Sequence, residues 1–157
     1  MTDNSIIKRL KITSIVTETP NAKSIVLEPL DGWQPNYRAG QFLTLVFYTP
    51  HGEKRRSYSL TSSPALHEPL CITVKKVDNG EFSRWLTQQA QLGDILFTSG
   101  IQGMFTLPEQ NMAGKHFFFF AAGSGIAPCY SLIKTLLHQS TAHVTLVYSN
   151  RSEEDTI

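Results

Sequence analysis

Short apolar runs separated by turn residues occupy the first two thirds of the chain. In "LKITSIV" the apolar side chains Leu10, Ile12 and Val16 stand at even positions, and the β-branched run of "KSIVLEPL" ends at the turn Asp31-Gly32. Further strands are predicted from the segments "GQFLTLVFY", "RRSYSLTSSP", "LCITVKKV" and "GDILFTSGI". Alternation over such lengths is typical of half-buried β-strands, and six short strands indicate a small antiparallel barrel.

One helix interrupts this series of strands. The segment "GEFSRWLTQQA" follows the turn signal Asn79-Gly80. Its apolar side chains Phe82, Trp85 and Leu86 share one helical face, which predicts a short amphipathic helix.

The pattern changes near Pro108. After a polar linker, "HFFFFAA" is a continuous apolar run of strand length, as expected for a strand buried on both faces of a parallel sheet. "PCYSLIKTLLHQ" has apolar residues at helical spacing, with Pro128 suited to the first helical turn, and "HVTLVYSN" predicts a second buried strand. We therefore predict a six-stranded antiparallel barrel in residues 1–108, followed in residues 109–157 by the first β-α-β part of a parallel α/β domain.

Composition excludes several classes of function. The formal net charge is +1 over 157 residues, which gives no support for a nucleic-acid partner. The longest apolar run, Phe117 to Ala122, is too short to span a bilayer, and we see no signal peptide. Cys71 and Cys129 are far apart in sequence and suggest no disulfide framework, and two cysteines are too few for a self-contained iron–sulfur cluster. No histidine lies at metal-ligand spacing from another histidine, a cysteine or a carboxylate. We expect a cytoplasmic protein without a membrane segment or a metal site.

The segment "AAGSGIAP" carries the first candidate chemistry. It lies between a predicted strand and a predicted helix, where free backbone N–H groups and the helix dipole attract phosphate, and where Gly123 and Gly125 let the backbone approach a ligand. A nucleophile elbow is excluded because Ser124 lacks glycine two residues on either side, and the lysine of a P-loop is absent. A glycine-rich turn without a ligand remains open.

Two further segments carry candidate binding residues. In "RRSYSLTSSP", strand alternation places Arg56 and Tyr58 on one face, and Ser59 joins them only if the strand bends or the ligand lies along its edge. In "KKVDNGEFSRWL", the start of the helix offers backbone N–H groups to a phosphate, although Ser83 could instead simply cap the helix. Taken separately, an edge strand and a helix cap explain both segments.

The order of the motifs changes this interpretation. Arg-x-Tyr-Ser, Gly-x-x-Ser, "GIQGMF" and "GSGIAP" follow one another in an order that resembles the ferredoxin–NADP reductase family of flavoproteins. The resemblance covers about Leu10 to Ile157 and is greatest to reductase components of bacterial oxygenases, of the phenylacetate and phenol hydroxylase types. In "GIQGMF", Gly100, Gly103 and Phe105 match the family pattern, with Ile101 in place of a proline.

This resemblance implies a role for each matching residue. Arg56 would bind the flavin pyrophosphate, Tyr58 would pack on the isoalloxazine, and Ser59 would hydrogen-bond near flavin N5, so that Tyr58 and Ser59 are the candidate catalytic residues. The remaining implied contacts fall into three groups. The strand that borders the ribityl or adenine part comprises Val74, Lys75 and Lys76; the second pyrophosphate site comprises Gly80, Glu81, Phe82 and Ser83; the nicotinamide-dinucleotide loop comprises Gly123, Ser124, Gly125, Ile126, Ala127 and Pro128.

The resemblance also implies cofactors and a partner. FAD is favoured over FMN, and NADH or NADPH would supply hydride for transfer to an iron–sulfur or oxygenase component. Ser149 and Arg151 follow the second strand of the α/β unit; Arg151 favours a 2′-phosphate, whereas the acidic residues after it favour NADH, so the choice stays open. Family members continue beyond "SEEDTI", so we expect a truncated chain. The alternative function is a flavin-binding fragment without turnover. We also expect the exposed α/β unit either to pack against a second copy, giving a homo-oligomer, or to be poorly ordered.

Overall fold

The computed structural model describes residues 7–157, so residues 1–6 of the predicted first domain lie outside the described part. Its strands and helices, in chain order, are β1 (Lys8–Thr19), β2 (Ala22–Pro29), β3 (Phe42–Thr49), β4 (Gly52–Ser59), β5 (Cys71–Lys75), α1 (Glu81–Gln88), β6 (Ile95–Gln102), β7 (His116–Ala122), α2 (Ile126–Gln139) and β8 (His143–Ser149). Neither α-helix of residues 7–157 combines the length and apolar character needed to cross a membrane.

The first six strands form one antiparallel sheet in the order β4-β3-β6-β1-β2-β5. Its two outer strands, β4 and β5, meet at the bridge between Leu60 and Ile72, and the Thr61 N–H donates to the Cys71 carbonyl at 2.9 Å. The sheet therefore curls into a barrel that closes at only one end of the β4–β5 seam. This confirms the predicted six-stranded antiparallel architecture.

Aliphatic side chains fill the barrel. Fully buried members include Leu10, Ile25, Leu43, Leu45 and Ile72, and α1 covers one end of the barrel by inserting Leu86 among them. Burial of a leucine or isoleucine side chain contributes roughly 1.5–3 kcal/mol, so this cluster accounts for much of the driving force for folding.

The strand β1 differs from its predicted alternation. A register shift relative to β2 lies between Ile12 and Ser14, and after it Ile15 packs on the core, whereas Val16 is 48% exposed. An extra residue on one strand reverses the direction of every side chain beyond it. The prediction that Val16 lies inward with Leu10 and Ile12 is therefore wrong.

The second unit is the predicted β-α-β arrangement. Strands β7 and β8 pair in parallel, from His116 opposite His143 to Ala122 opposite Ser149, and α2 packs on one face of the pair. That face buries Phe119, whereas Phe118 and Phe120 on the other face are 59% and 73% exposed. The apolar run is typical of a strand buried on both faces of a complete parallel sheet, but in this chain a helix covers only one face.

A polar seam joins α2 to the barrel. The Ser131 hydroxyl donates to the Ser62 carbonyl at 2.6 Å, and the hydroxyls of Ser63 and Thr135 are 2.6 Å apart. Lys134 pairs with Glu68, which also accepts the Ser63 N–H at 2.7 Å. Because Ser63 and Ser131 are fully buried, these bonds fix the position of α2 on the barrel. The predicted boundary at residue 108 falls in the connection between β6 and β7.

Candidate cofactor-binding cleft

A cleft opens where the edges of β4 and β5 diverge from their closure at Leu60. Because each strand pairs with a barrel neighbour on its other side only, both present edges to this cleft. The cavity has a volume of about 520 Å³. Its lining comes from β4, β5, the start of α1 and the loop before α2: Arg56, Ser57, Tyr58, Ser59, Thr73, Lys75, Val77, Asn79, Gly80, Glu81, Phe82, Ser83, Ser124 and Ala127.

Arg56 and the N-terminus of α1 form the positive end of the cleft. The guanidinium of Arg56 lies over the Phe82 ring at 5.3 Å and donates to the Arg55 carbonyl at 2.7 Å. The first bond of the helix runs from the Arg84 N–H to the Gly80 carbonyl at 3.0 Å, so the three N–H groups before it lack an intrahelical acceptor. A guanidinium beside a helix N-terminus is suited to bind phosphate oxygens.

Ser83 has a different role from the cap considered above. Gly80 occupies the N-cap position, and the Ser83 hydroxyl donates to the Gly80 carbonyl and accepts the Val77 N–H, both at 3.1 Å. The hydroxyl hydrogen is therefore used within the loop, and the backbone N–H of Ser83 is one of the three without an intrahelical acceptor. A Cβ at Gly80 would stand 2.4 Å from the Ser83 oxygen, so glycine is required there by packing.

Tyr58 and Ser59 lie beside one another along the open edge of β4. Tyr58 is half-buried, and burial raises the pKa of its phenol to about 12 despite the opposing charge of Arg56. Ser59 is also partly exposed, and its hydroxyl has no bonded partner within residues 7–157. Arg56, Tyr58 and Ser59 therefore line one cavity that runs along the edge of β4. Of the two arrangements considered from the sequence, this corresponds to a ligand that lies along the strand edge.

The predicted strand contacts need one correction. The Lys76 N–H donates to the Asn21 carbonyl beside β2, whereas the Cys71 carbonyl accepts from Thr61 on the β4 side. Backbone direction alternates along an antiparallel strand, so Val74 bonds toward β2, and its side chain is 1% exposed in the core. Val74 therefore lies outside the cleft. The same alternation turns Thr73 and Lys75 toward the cleft, and both line it.

The segment from Gly123 to Pro128 connects β7 to α2, as predicted: Gly123–Gly125 lies between them, and the other three residues form the first turn of α2. Gly123 has a φ of +51°, which favours glycine, and its carbonyl accepts the Tyr148 hydroxyl at 2.9 Å. Ser124 and Ala127 line the cleft, whereas Ile126 is buried and neither Gly125 nor Pro128 lines it. The loop thus reaches the cleft mainly through Ser124.

Gly125 provides a test of whether the loop suits a phosphate-bearing group. Its φ of −63° is open to any residue, and a Cβ there would meet nothing within 4 Å. Neither backbone geometry nor packing within the protein requires glycine at this position. An open glycine before a helix fits the close approach of a ligand, so the residues present are compatible with a dinucleotide.

A second cavity of about 820 Å³ adjoins the first and shares Lys75, Val77, Asn79 and Ser124 with it. Lys76, Gly123, Ser149 and Arg151 also line this second cavity. Lys75 forms an ion pair with Asp155 at 3.4 Å. Desolvation raises the pKa of the Asp155 carboxyl, but the hydrogen bond and the positive charge of Lys75 lower it more, so this pKa lies below its usual value.

Sequence reasoning missed Thr73 and Asn79 as site residues, and it considered Asp155 only as one of the acidic residues that favour NADH. Thr73 could have been found from alternation, because the apolar residues Ile72 and Val74 on either side point elsewhere. Asn79 was interpreted only as a turn signal, although it lines both cavities. The pairing of Asp155 with Lys75 joins residues 80 positions apart, and no local signal predicts it.

Comparison with known proteins agrees with this geometry. Residues 10–107 match the model of the oxidoreductase FAD-binding domain, and residues 119–157 match the oxidoreductase NAD-binding domain. The ferredoxin reductase component of 3-ketosteroid-9-alpha-monooxygenase from Mycolicibacterium smegmatis is 34% identical, over 100% of this chain and 46% of the relative. NADH oxidoreductase HCR from Escherichia coli is 34% identical over 95% of this chain and 45% of the relative.

Solved structures give the same result. Phthalate dioxygenase reductase superposes with a TM-score of 0.81 at 30% identity, covering 96% of this chain and 46% of that one. The chain spans less than half the length of each of these three proteins. The FAD-binding model covers most of the barrel and every residue of the cleft except Ser124 and Ala127, which lie within the NAD-binding match. The chain therefore belongs to the oxidoreductase FAD-binding domain family.

Proposed function

We propose that this chain is part of a flavin-dependent NAD(P)H oxidoreductase. The observation that carries the proposal is the convergence of Arg56, Tyr58, Ser59 and the N-terminus of α1 on one cavity that also receives Ser124 from the α/β unit. Such a cavity has a positive end for a pyrophosphate, an aromatic wall for a planar ring system, and access from a second nucleotide-binding unit.

Each part of the cleft has a defined task in this proposal. Arg56 and the N–H groups of Glu81, Phe82 and Ser83 bind the pyrophosphate of FAD, and Tyr58 packs its ring against the isoalloxazine. Because burial raises the pKa of Tyr58 to about 12, the phenol stays neutral near pH 7 and does not act as a base. FAD, when bound, accepts a hydride and releases electrons singly.

Ser59 and the α/β unit complete the arrangement. The Ser59 hydroxyl, which has no bonded partner within residues 7–157, donates a hydrogen bond near flavin N5. Ser124, with the Gly123–Pro128 loop, positions the nicotinamide dinucleotide toward that flavin. Lys75 and Lys76 lie beside the two cavities and contribute positive charge near the phosphates. The protein thus positions both cofactors and excludes water between them.

The electron acceptor in this proposal is an iron–sulfur or oxygenase component. Support comes from two relatives: one is a ferredoxin reductase component of a monooxygenase, and phthalate dioxygenase reductase is described as transferring electrons from pyridine nucleotides to a 2Fe-2S centre.

Anaerobic reduction tests the proposal. The purified chain is loaded with FAD, and its visible spectrum is recorded before and after addition of NADH and then NADPH. Bleaching of the flavin band by either coenzyme is the expected result. Bound flavin that neither coenzyme reduces would favour the second candidate, a flavin-binding fragment without turnover. Failure to bind FAD or FMN would remove the roles of Arg56, Tyr58 and Ser59.

The remaining predictions concern organisation. We propose that residues 1–108 and 109–157 act as the flavin and NAD(P) domains, in a cytoplasmic protein whose two cysteines are free thiols.

The exposed rings of Phe118 and Phe120, at 59% and 73%, support association of a second copy through the β7–β8 face. Sedimentation velocity over a range of concentrations checks this; a monomer throughout, with a folded α/β unit, would contradict it.

A further inference from the structure

Lys75 lies at the boundary between the two cavities. The flavin cleft and the second cavity share four residues, and Lys75 is the only charged one among them. The second cavity also receives the cations Lys76 and Arg151 and the carboxylates of Asp78 and Asp155. In the proposed function, a dinucleotide that reaches from the second cavity to the flavin passes Lys75. The charge that this ammonium presents therefore affects how strongly the phosphates are held.

Lys75 has a counter-ion within the chain. Its ammonium pairs with Asp155 at 3.4 Å, and the two side chains are only 21% and 18% exposed. The pair of Lys134 with Glu68 is shielded to a similar extent, at 18% and 30%. Limited contact with solvent reduces screening, so both pairs are stronger than pairs on the open surface. Both also connect the barrel to the α/β unit.

The segment that follows β8 holds Asp155 in place. The Ser152 hydroxyl donates to the Asp155 carboxyl at 3.5 Å, and the Asp155 N–H donates to the Ser152 carbonyl at 3.3 Å. At the end of the same segment, the Ile157 N–H donates to the Tyr148 hydroxyl at 3.4 Å, and that hydroxyl donates to the Gly123 carbonyl. The carboxylate is thus fixed to the α/β unit beside the dinucleotide loop.

A phosphate in the second cavity competes with Asp155 for the Lys75 ammonium. Both are anionic acceptors, and Asp155 itself lines this cavity, so the carboxylate also repels the phosphate. Two like unit charges about 6 Å apart, at an effective dielectric constant near 20, repel by roughly 100-fold in an equilibrium constant before salt screening.

The opposing effect is smaller. Holding a lysine side chain in one conformation before the ligand arrives favours binding by at most about 30-fold, if all of its rotamer freedom is removed. A single contact of 3.4 Å between Lys75 and Asp155 removes only part of that freedom. Competition and repulsion therefore outweigh the benefit of holding Lys75 in position.

We propose that Asp155 is an internal counter-ion of Lys75 that weakens binding of the NAD(P)H pyrophosphate, which has to displace the carboxylate from the ammonium. The inference rests on the proposed function, because that function supplies the dinucleotide. Asp155 contacts no reacting atom and acts through Lys75. Its effect is to shorten the residence time of the coenzyme, since affinity is set mostly by the dissociation rate.

Calorimetric titration of NAD+ and NADP+ into the FAD-saturated chain tests the proposal. The oxidised coenzymes do not reduce flavin, so dissociation constants are obtained without turnover. Asp155→Asn should bind both about 3- to 30-fold more tightly than the wild type at low salt, and this gain should shrink as the salt concentration rises. The same variant should lower Tm by roughly 2–4 °C because the ion pair is lost. A merely structural role of Asp155 would lower both affinity and stability.

Two control variants match this change. Glu154→Gln removes the neighbouring carboxylate, which is exposed and lines neither cavity, and it should leave both Tm and affinity unchanged. Glu68→Gln breaks the other shielded pair between the barrel and the α/β unit, and it should lower Tm without tightening coenzyme binding.

The outcomes separate this inference from the proposed function. If the wild type binds a coenzyme and Asp155→Asn binds it equally or more weakly, the inference is overturned and the proposed function stays intact. Equal tightening in Glu154→Gln would also overturn it, because the effect would then come from net charge alone. Absence of coenzyme binding in both the wild type and Asp155→Asn would overturn the inference together with the NAD(P)H part of the proposed function.

Discussion

The seam between α2 and the barrel makes a quantitative prediction about buried hydroxyl groups. The Thr135 hydroxyl donates its single hydrogen to the Ser131 carbonyl at 2.8 Å. At the 2.6 Å contact between Ser63 and Thr135, Ser63 must therefore be the donor. Ser63 is 0% exposed and its hydroxyl makes no other hydrogen bond within residues 7–157, so Thr135→Val leaves a buried donor without an acceptor.

Thr87→Val is a matched control. Thr87 is 6% exposed against 7% for Thr135, and its hydroxyl makes the same type of bond, to the Ser83 carbonyl four residues earlier at 2.7 Å. No other buried group within residues 7–157 depends on the Thr87 hydroxyl. Thr135→Val should therefore lower the free energy of unfolding by about 1–3 kcal/mol more than Thr87→Val does, the cost of one unsatisfied buried hydroxyl.

Urea and thermal unfolding measure the difference. For a chain of this size the two variants should differ by roughly 2–12 °C in Tm. The double variant Ser63→Ala/Thr135→Val removes both partners and should regain most of the loss relative to Thr135→Val alone. Equal stability of Thr135→Val and Thr87→Val would refute the assignment of Ser63 as the donor.

Three further predictions follow from single residues. Burial raises the pKa of Tyr58 to about 12, so the contribution of Tyr58 to the free energy of unfolding is constant below about pH 10 and falls as the pH rises toward 12. The reason is that the unfolded chain loses the phenol proton at a lower pH than the folded chain does. Tyr58→Phe should remove this part of the alkaline slope, measured by urea unfolding at a series of pH values. Gly123→Ala should destabilise the chain by about 1–2 kcal/mol, because Gly123 has a φ of +51°. Gly125 has a φ of −63° and open space around it, so Gly125→Ala should raise Tm slightly. The same variant should nevertheless weaken dinucleotide binding, as measured by calorimetric titration. Gly40→Ala would place a Cβ 1.9 Å from the Phe105 carbonyl oxygen at a φ of +88°, so its Tm should fall well below that of Gly123→Ala, and an unchanged Tm would contradict the packing of this connection.

The sequence predicts the order of the elements well because its signals for them are local. Alternation, turn residues and helical spacing each act over a few positions, and all six barrel strands and both helices occur near the segments that these signals mark, although β4 begins at Gly52, in the predicted turn, and ends at Ser59 rather than Pro64. The glycine loop between β7 and α2 and the helix start after Gly80 are also marked by neighbouring residues, so the sequence alone locates the two candidate phosphate sites.

Features that depend on pairing between distant strands could not be predicted. The direction of Val16 depends on a register shift against β2, and the direction of the Val74 backbone depends on which edge of β5 bonds to β2. The seam between Ser63 and Thr135 and the pair of Lys75 with Asp155 join residues 72 and 80 positions apart. An apolar run does not reveal which of its side chains are covered, so the exposure of Phe118 and Phe120 in particular is known only from the structure.

The most direct measurement of the central claim is a spectral titration of FAD into the wild-type chain and into Arg56→Ala. Arg56 is exposed, and within residues 7–157 the only hydrogen bond of its side chain is to the neighbouring Arg55 carbonyl, so truncating this side chain should leave the fold intact, as circular dichroism can verify. The account predicts saturable FAD binding with a shifted flavin band in the wild type, and a loss of roughly tenfold or more in affinity in the variant, as expected for a charge-assisted hydrogen bond. Absence of binding in the wild type, or equal affinity in both proteins, would contradict the assignment of this cleft.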